Sequence, residues 1–151
     1  MEYEFFIKCD PPKTTYQAGQ QILRTKSGRW FIGKSAKGKH TANWLRSLVL
    51  PYRPKAPLDG ILELDIVWIF PYRKSESKKN KEQQTMPCIT KPDCDNIAKG
   101  LLDAMQQAKF FVDDSRIYDL RIRKIYSNET GIKIKLKQTT LKNYSQTYNS
   151  C

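Results

Sequence analysis

The chain has 151 residues and carries 27 Lys and Arg against 15 Asp and Glu, a formal net charge of +12. That length suits one domain with one core and is too short for two of ordinary size. The charge asks for a polyanionic partner, nucleic acid or an anionic membrane surface, and no apolar run is long enough to span a bilayer. The start, MEYEFFIKCD, has no signal-peptide apolar core, which predicts a cytoplasmic protein. Cys9, Cys88, Cys94 and Cys151 are scattered, with no CxxC pair, and His40 is the lone histidine. That spacing offers no zinc site and reads as reduced thiols.

In chain order, Tyr3 to Lys8 reads as a strand that Pro11 and Pro12 end. Residues 13–40 read as loop, with short β-like pieces at Gln21–Arg24 and Arg29–Ile32. His40 falls in this basic loop and suits a phosphate contact better than a general base. A short helix over Thr41 to Leu50 puts Trp44, Leu45 and Leu48 on one side, and Pro51, Pro54 and Pro57 stop it. Ile61 to Phe70 alternates as a strand, with Leu62, Leu64, Ile66, Trp68 and Phe70 on one face. Val67 and Ile69 make the other face apolar toward the end, so cover on both sides is expected there.

Residues 71–92 are charged, lack periodicity and read as a mobile basic loop, either a solvated linker or a DNA-contacting arm. Asp93 to Lys109 has the strongest helical pattern, with Ile97, Leu101, Ala104, Met105 and Ala108 on one stripe and Asp93 at the N-cap position. Ile117–Tyr126 and Ile132–Lys137 read as a hairpin around Asn128–Gly131. A single domain over 1–138 and a polar tail over 139–151 follow.

The acidic residues are unevenly spread. Asp93, Asp95, Asp103, Asp113, Asp114 and Asp119, six of the fifteen, fall within residues 91–119. At 100° per residue, Asp95 and Lys99 lie opposite the apolar stripe. The plain reading is a solvated helix face with an i,i+4 ion pair contributing roughly 0.3–0.5 kcal/mol. The other reading is convergence: a short return from the helix brings Asp114 back beside Asp93 and Asp95. Such a carboxylate set is repulsive without a cation, and oxygen donors suit Mg²⁺, with Mn²⁺ able to substitute. Phosphodiester hydrolysis would use that metal to activate water, with Lys99 steadying charge on the phosphate.

KPDCDNIAKGLLDAM followed by FFVDDSRIYDLRIRK resembles the RusA family of Holliday junction resolvases, DNA endonucleases often carried by prophages. The resemblance lies in P-D-x-D-N, a Lys six residues after its first Asp, and an apolar-D-D-S-x-I element about twenty residues on. It implies an α+β fold, a small mixed sheet flanked by helices, acting as a homodimer. It also implies Mg²⁺-dependent resolution of four-way DNA junctions by paired symmetric nicks in recombination and repair. By position, Asp93, Asp95 and Asp114 correspond to the essential metal-binding carboxylates and Lys99 to the functional lysine. Asp113 matches a neighbouring acidic position, and Asp103 matches one better suited to orienting Lys99. The segments at 13–40 and 71–92 are expanded, and the basic run before the first Asp is displaced to Arg73–Lys81. Two other readings are a structure-selective nuclease on flaps or forks, and a non-catalytic branched-DNA-binding protein.

Overall fold

A computed structural model describes residues 1–12, 20–34 and 36–141. The elements are β1 (Glu2–Lys8), β2 (Gln20–Arg24), β3 (Trp30–Lys34), α1 (Ala36–Val49), β4 (Ile61–Pro71), α2 (Lys78–Glu82), β5 (Thr85–Pro87), α3 (Cys94–Gln107), β6 (Ile117–Ser127) and β7 (Gly131–Thr139). Short 3-10 turns follow α1 at Leu50–Tyr52 and lead into β6 at Asp114–Arg116. The result is one α+β domain with a mixed sheet and three helices among the described residues.

The sheet runs β1-β7-β4-β6-β5, and only β4 and β6 are parallel. Parallel neighbours need a crossover, and α3 is the helix of that crossover. The alternation of β4 buries Leu62, Leu64, Ile66, Trp68 and Phe70. Ile132, Ile134 and Leu136 of β7 join them, under Ile97, Leu101 and Met105 of α3 and Leu45 and Val49 of α1. Each large apolar side chain so buried contributes about 1.5–3 kcal/mol. Gly131 opens β7 where the strand passes β1: a Cβ there would collide with the Ile7 carbonyl and the Phe6 ring. β2 and β3 form a separate two-stranded ribbon.

Several expectations change. β6 and β7 are not a hairpin, because β4 lies between them and pairs with both. Their short link suggested direct pairing, whereas non-local pairing with β4 decides the order. The first helix starts at Ala36, so His40 lies on α1 rather than in a loop. Its first turn carries no apolar period to announce it. The segment at 71–92 contains α2, capped by Ser77 accepting from the Asn80 N–H at 3.2 Å, and β5, an edge strand on β6. Val67 and Ile69 are half-buried, since no helix of the described chain covers their face. Thr139 ends β7 and is buried, and residues from 142 on, the rest of the expected tail, lie outside the described residues. So do 13–19 and 35. Cys9, Cys88 and Cys94 are free thiols, and burial pushes Cys9 up to about 11. No described helix is long and apolar enough to cross a membrane.

Candidate active site

The site begins where the crossover meets its helix. Asp93 holds the N-cap position of α3 (φ −76°, ψ 151°), and its backbone carbonyl accepts from the Ile97 N–H at 3.2 Å. Its carboxylate makes no capping hydrogen bond. An Asp at that position ordinarily contributes about 1 kcal/mol through its side chain; here the carboxylate is left uncommitted. Asp95 and Lys99 follow on the exposed side of α3, and Ile97, Ala98 and Leu101 are turned into the core. The plain reading of the helix face holds only in part: the face is exposed, but Asp95 and Lys99 form no ion pair, and neither do Asp93, Asp103 or Asp114 among the described residues.

The lead-in to Asp93 is held by a residue that the motif does not include. Lys124 of β6 donates from Nζ to the Thr90 carbonyl at 2.7 Å and the Pro92 carbonyl at 2.6 Å. Thr90 also shares a 2.7 Å hydrogen bond with the Tyr126 hydroxyl. A signal for Lys124 was present in the sequence. It interrupts the inward alternation Ile122, Lys124, Tyr126, opposite Trp68 of β4, and a lysine at such a place must find acceptors.

The second acidic pair divides its work. Asp113 caps the 3-10 turn, its Oδ1 accepting from the Ser115 N–H at 2.9 Å. The Ser115 hydroxyl, then its N–H, and then the Arg116 charge hold the Asp113 carboxyl below its ordinary value. Asp114, next to it, is exposed and has no ion partner among the described residues. Arg116 pairs with Asp59 at 3.2 Å, and Asp119 with Arg121 at 3.0 Å.

The expected convergence of Asp114 with Asp93 and Asp95 does not occur within one chain. Asp93 sits beside Lys124, whereas Asp114 sits just before Ile117, at the other end of β6. Seven strand residues separate those ends, about 23 Å, and the helix from Asp95 to Gln107 spans about 18 Å. A crossover helix runs back along its strands, so its two ends lie at opposite ends of those strands. Among the described residues no group of three or more His, Cys, Asp or Glu is placed to hold a metal ion. The donors at the head of α3 nevertheless fit a hard cation. Asp93 and Asp95 offer uncommitted oxygens, and Asn96 Oδ1 next to them is buried without a hydrogen-bond partner.

Comparison with known proteins gives this geometry its context. Residues 12–137 match the family model described as Endodeoxyribonuclease RusA. The chain is 29% identical over 120 residues to "Uncharacterized protein YqaN" of Bacillus subtilis (strain 168), covering 76% of this chain and 84% of that protein. It is 25% identical over 138 residues to "Crossover junction endodeoxyribonuclease rusA" of Lactococcus phage r1t, covering 91% of this chain and 99% of that protein. The matched span takes in both acidic pairs, Lys99 and the whole five-stranded sheet apart from β1 and the last two residues of β7. The chain therefore belongs to the RusA endodeoxyribonuclease family and is an endodeoxyribonuclease.

Proposed function

We propose that this protein is a divalent-metal-dependent Holliday junction resolvase of recombination and repair in the cytoplasm. In this reading it works as a homodimer whose two active sites are each shared between copies. One observation carries the reading. In a chain of net charge +12, Asp93, Asp95 and Asp114 have no cationic partner among the described residues, yet Asp114 lies about 20 Å from the other two in one copy. A two-fold axis that sets the head of α3 of one copy against the 3-10 turn of the other brings the three together twice, related by symmetry. Two equivalent sites facing one four-way junction suit paired nicks on opposing strands of like polarity. They suit a flap or fork, which lacks that symmetry, less well. The relative from phage r1t, matched over nearly its whole length, is named for crossover junctions, which supports the same substrate.

The roles follow from position. Asp93 and Asp95 of one copy and Asp114 of the other would hold Mg²⁺, or Mn²⁺ in its place. When bound, the metal supplies Lewis acidity and a more acidic water. Lys99, one turn beyond Asp95 on the exposed side of α3, contacts the scissile phosphate and offsets charge that develops there. Lys124 fixes the lead-in that aims Asp93. Asp113 holds the turn that presents Asp114.

The test is to mix two inactive variants, Asp95→Asn and Asp114→Asn, on a synthetic four-way junction. If sites are shared, a mixed dimer has one site carrying both lesions and one that is intact. Half the dimers are mixed, so about a quarter of wild-type sites return, and each mixed dimer nicks one strand only. Sites contained within single copies would leave the mixture as inactive as either variant.

A further inference from the structure

The ribbon of β2 and β3 stands apart from the five-stranded sheet and carries apolar side chains that the core does not use. Ile22, Trp30 and Ile32 are 73%, 67% and 71% exposed. By register, Ile22 faces Ile32 and Arg24 faces Trp30 on one side of the ribbon, while Leu23 faces Phe31 on the other. Phe31 is also exposed. The ribbon is a built element. Thr25 donates its N–H to the Arg29 carbonyl at 2.8 Å, the Arg29 N–H returns to the Thr25 hydroxyl at 3.0 Å, and Gly28 takes φ 87°. Only a glycine adopts that φ freely, so the tip is specified.

The surrounding charge identifies the occupant. From Pro11 to Leu58 the sequence holds ten Lys and Arg and not one Asp or Glu. At the ribbon itself the Arg24 guanidinium lies 5.4 Å from the centre of the Trp30 ring. Two copies of this basic region set face to face would repel each other. A protein groove would cover one side of the ribbon and leave the apolar residues of the other in water. Nucleic acid satisfies both features: phosphates meet the cations, and flat base surfaces meet aromatic and branched side chains. A continuous duplex hides its base faces in the stack. A branch point exposes them on two sides, where helical arms separate.

We infer that the β2–β3 ribbon is a wedge that enters the branch point of DNA, with Trp30 and Ile32 against unstacked bases, and so discriminates branched from continuous DNA. This rests on the branched-DNA activity proposed above. The test is fluorescence anisotropy in EDTA, which stops cleavage, on a four-way junction and a matched linear duplex. A 2-aminopurine base at the branch point reports unstacking. Trp30→Ala should weaken junction binding about tenfold, with duplex binding changed less than about twofold, and should lose the 2-aminopurine rise. Trp30→Phe should keep most of both, and Ile32→Ser should show an intermediate loss. Circular dichroism should match wild type, because the ribbon is outside the core. Equal losses on junction and duplex, or no loss on the junction, would overturn the wedge. So would a fall in the sedimentation mass of free Trp30→Ala, which would make the ribbon a dimer arm. A wild-type protein that binds duplex and junction alike would instead sink the proposed substrate, and the wedge with it.

Discussion

On the open face of the sheet, Glu2, Glu4, Glu63, Asp65 and Asp119 each have a cation within reach. The partners are Lys135 at 3.0 Å, Lys133 at 2.8 Å, Lys137 at 3.3 Å, Arg123 at 2.7 Å and Arg121 at 3.0 Å. Along the crossover, Asp93, Asp95 and Asp114 have none among the described residues. The residue types are the same and cations are plentiful throughout, so the difference is one of placement. On the sheet, neighbours of opposite sign, across strands and within β6, neutralise each other. On α3, the i,i+4 neighbour of Asp95 is a lysine that does not close on it, and the N-cap carboxylate does not cap. A pattern that forgoes available stabilisation marks residues kept for another partner.

The strongest way to break this contrast is to neutralise one member of each group. Asp95→Asn should lower junction cleavage by about 10³-fold, since metal-borne charge stabilisation amounts to several kcal/mol. Junction affinity in EDTA should hold near wild type; cleavage at the wild-type rate would end the ligand role. A smaller effect should follow at Lys124. Lys124→Met removes both hydrogen bonds to the 90–92 lead-in and should slow cleavage about tenfold to a hundredfold, as loss of a supporting partner does at metal sites. The signature is a higher Mg²⁺ concentration for half-maximal rate, which a purely structural role would leave in place. The smallest effect belongs to the sheet. Asp65→Asn breaks the Arg123 pair on a half-exposed surface and should cost under about 1 kcal/mol in urea unfolding, with cleavage unchanged.

Much of this was open to reading in the chain itself. The alternation of 61–70 and the stripe of α3 fixed which faces are buried, because those patterns are local. The aspartates and Lys99 were visible as a motif for the same reason. Three things were not. The insertion of β4 between β6 and β7 depends on partners more than fifty residues away, and a short connection looks like a hairpin whichever strand intervenes. The separation of Asp114 from Asp95 follows from the crossover: a helix joining parallel strands must put its ends at opposite ends of those strands. Reading a short return as convergence overlooked that geometry. Lys124 escaped notice because its meaning depends on which strand face is covered.

The sheet order has one more consequence, for biogenesis. β7 is the last strand of the described residues but lies inside the sheet, between β1 and β4, where it pairs Phe5 with Ile134 and Ile66 with the same residue. Until it emerges from the ribosome, β1 has no partner and β4 has one bare edge. Closure of the domain is therefore a late, long-range event, slow by the measure of contact order. A nascent chain already exposes both aspartate pairs before that point, but without the sheet that spaces them. A protein organised this way has its aspartates spaced for work only once synthesis of the sheet is complete.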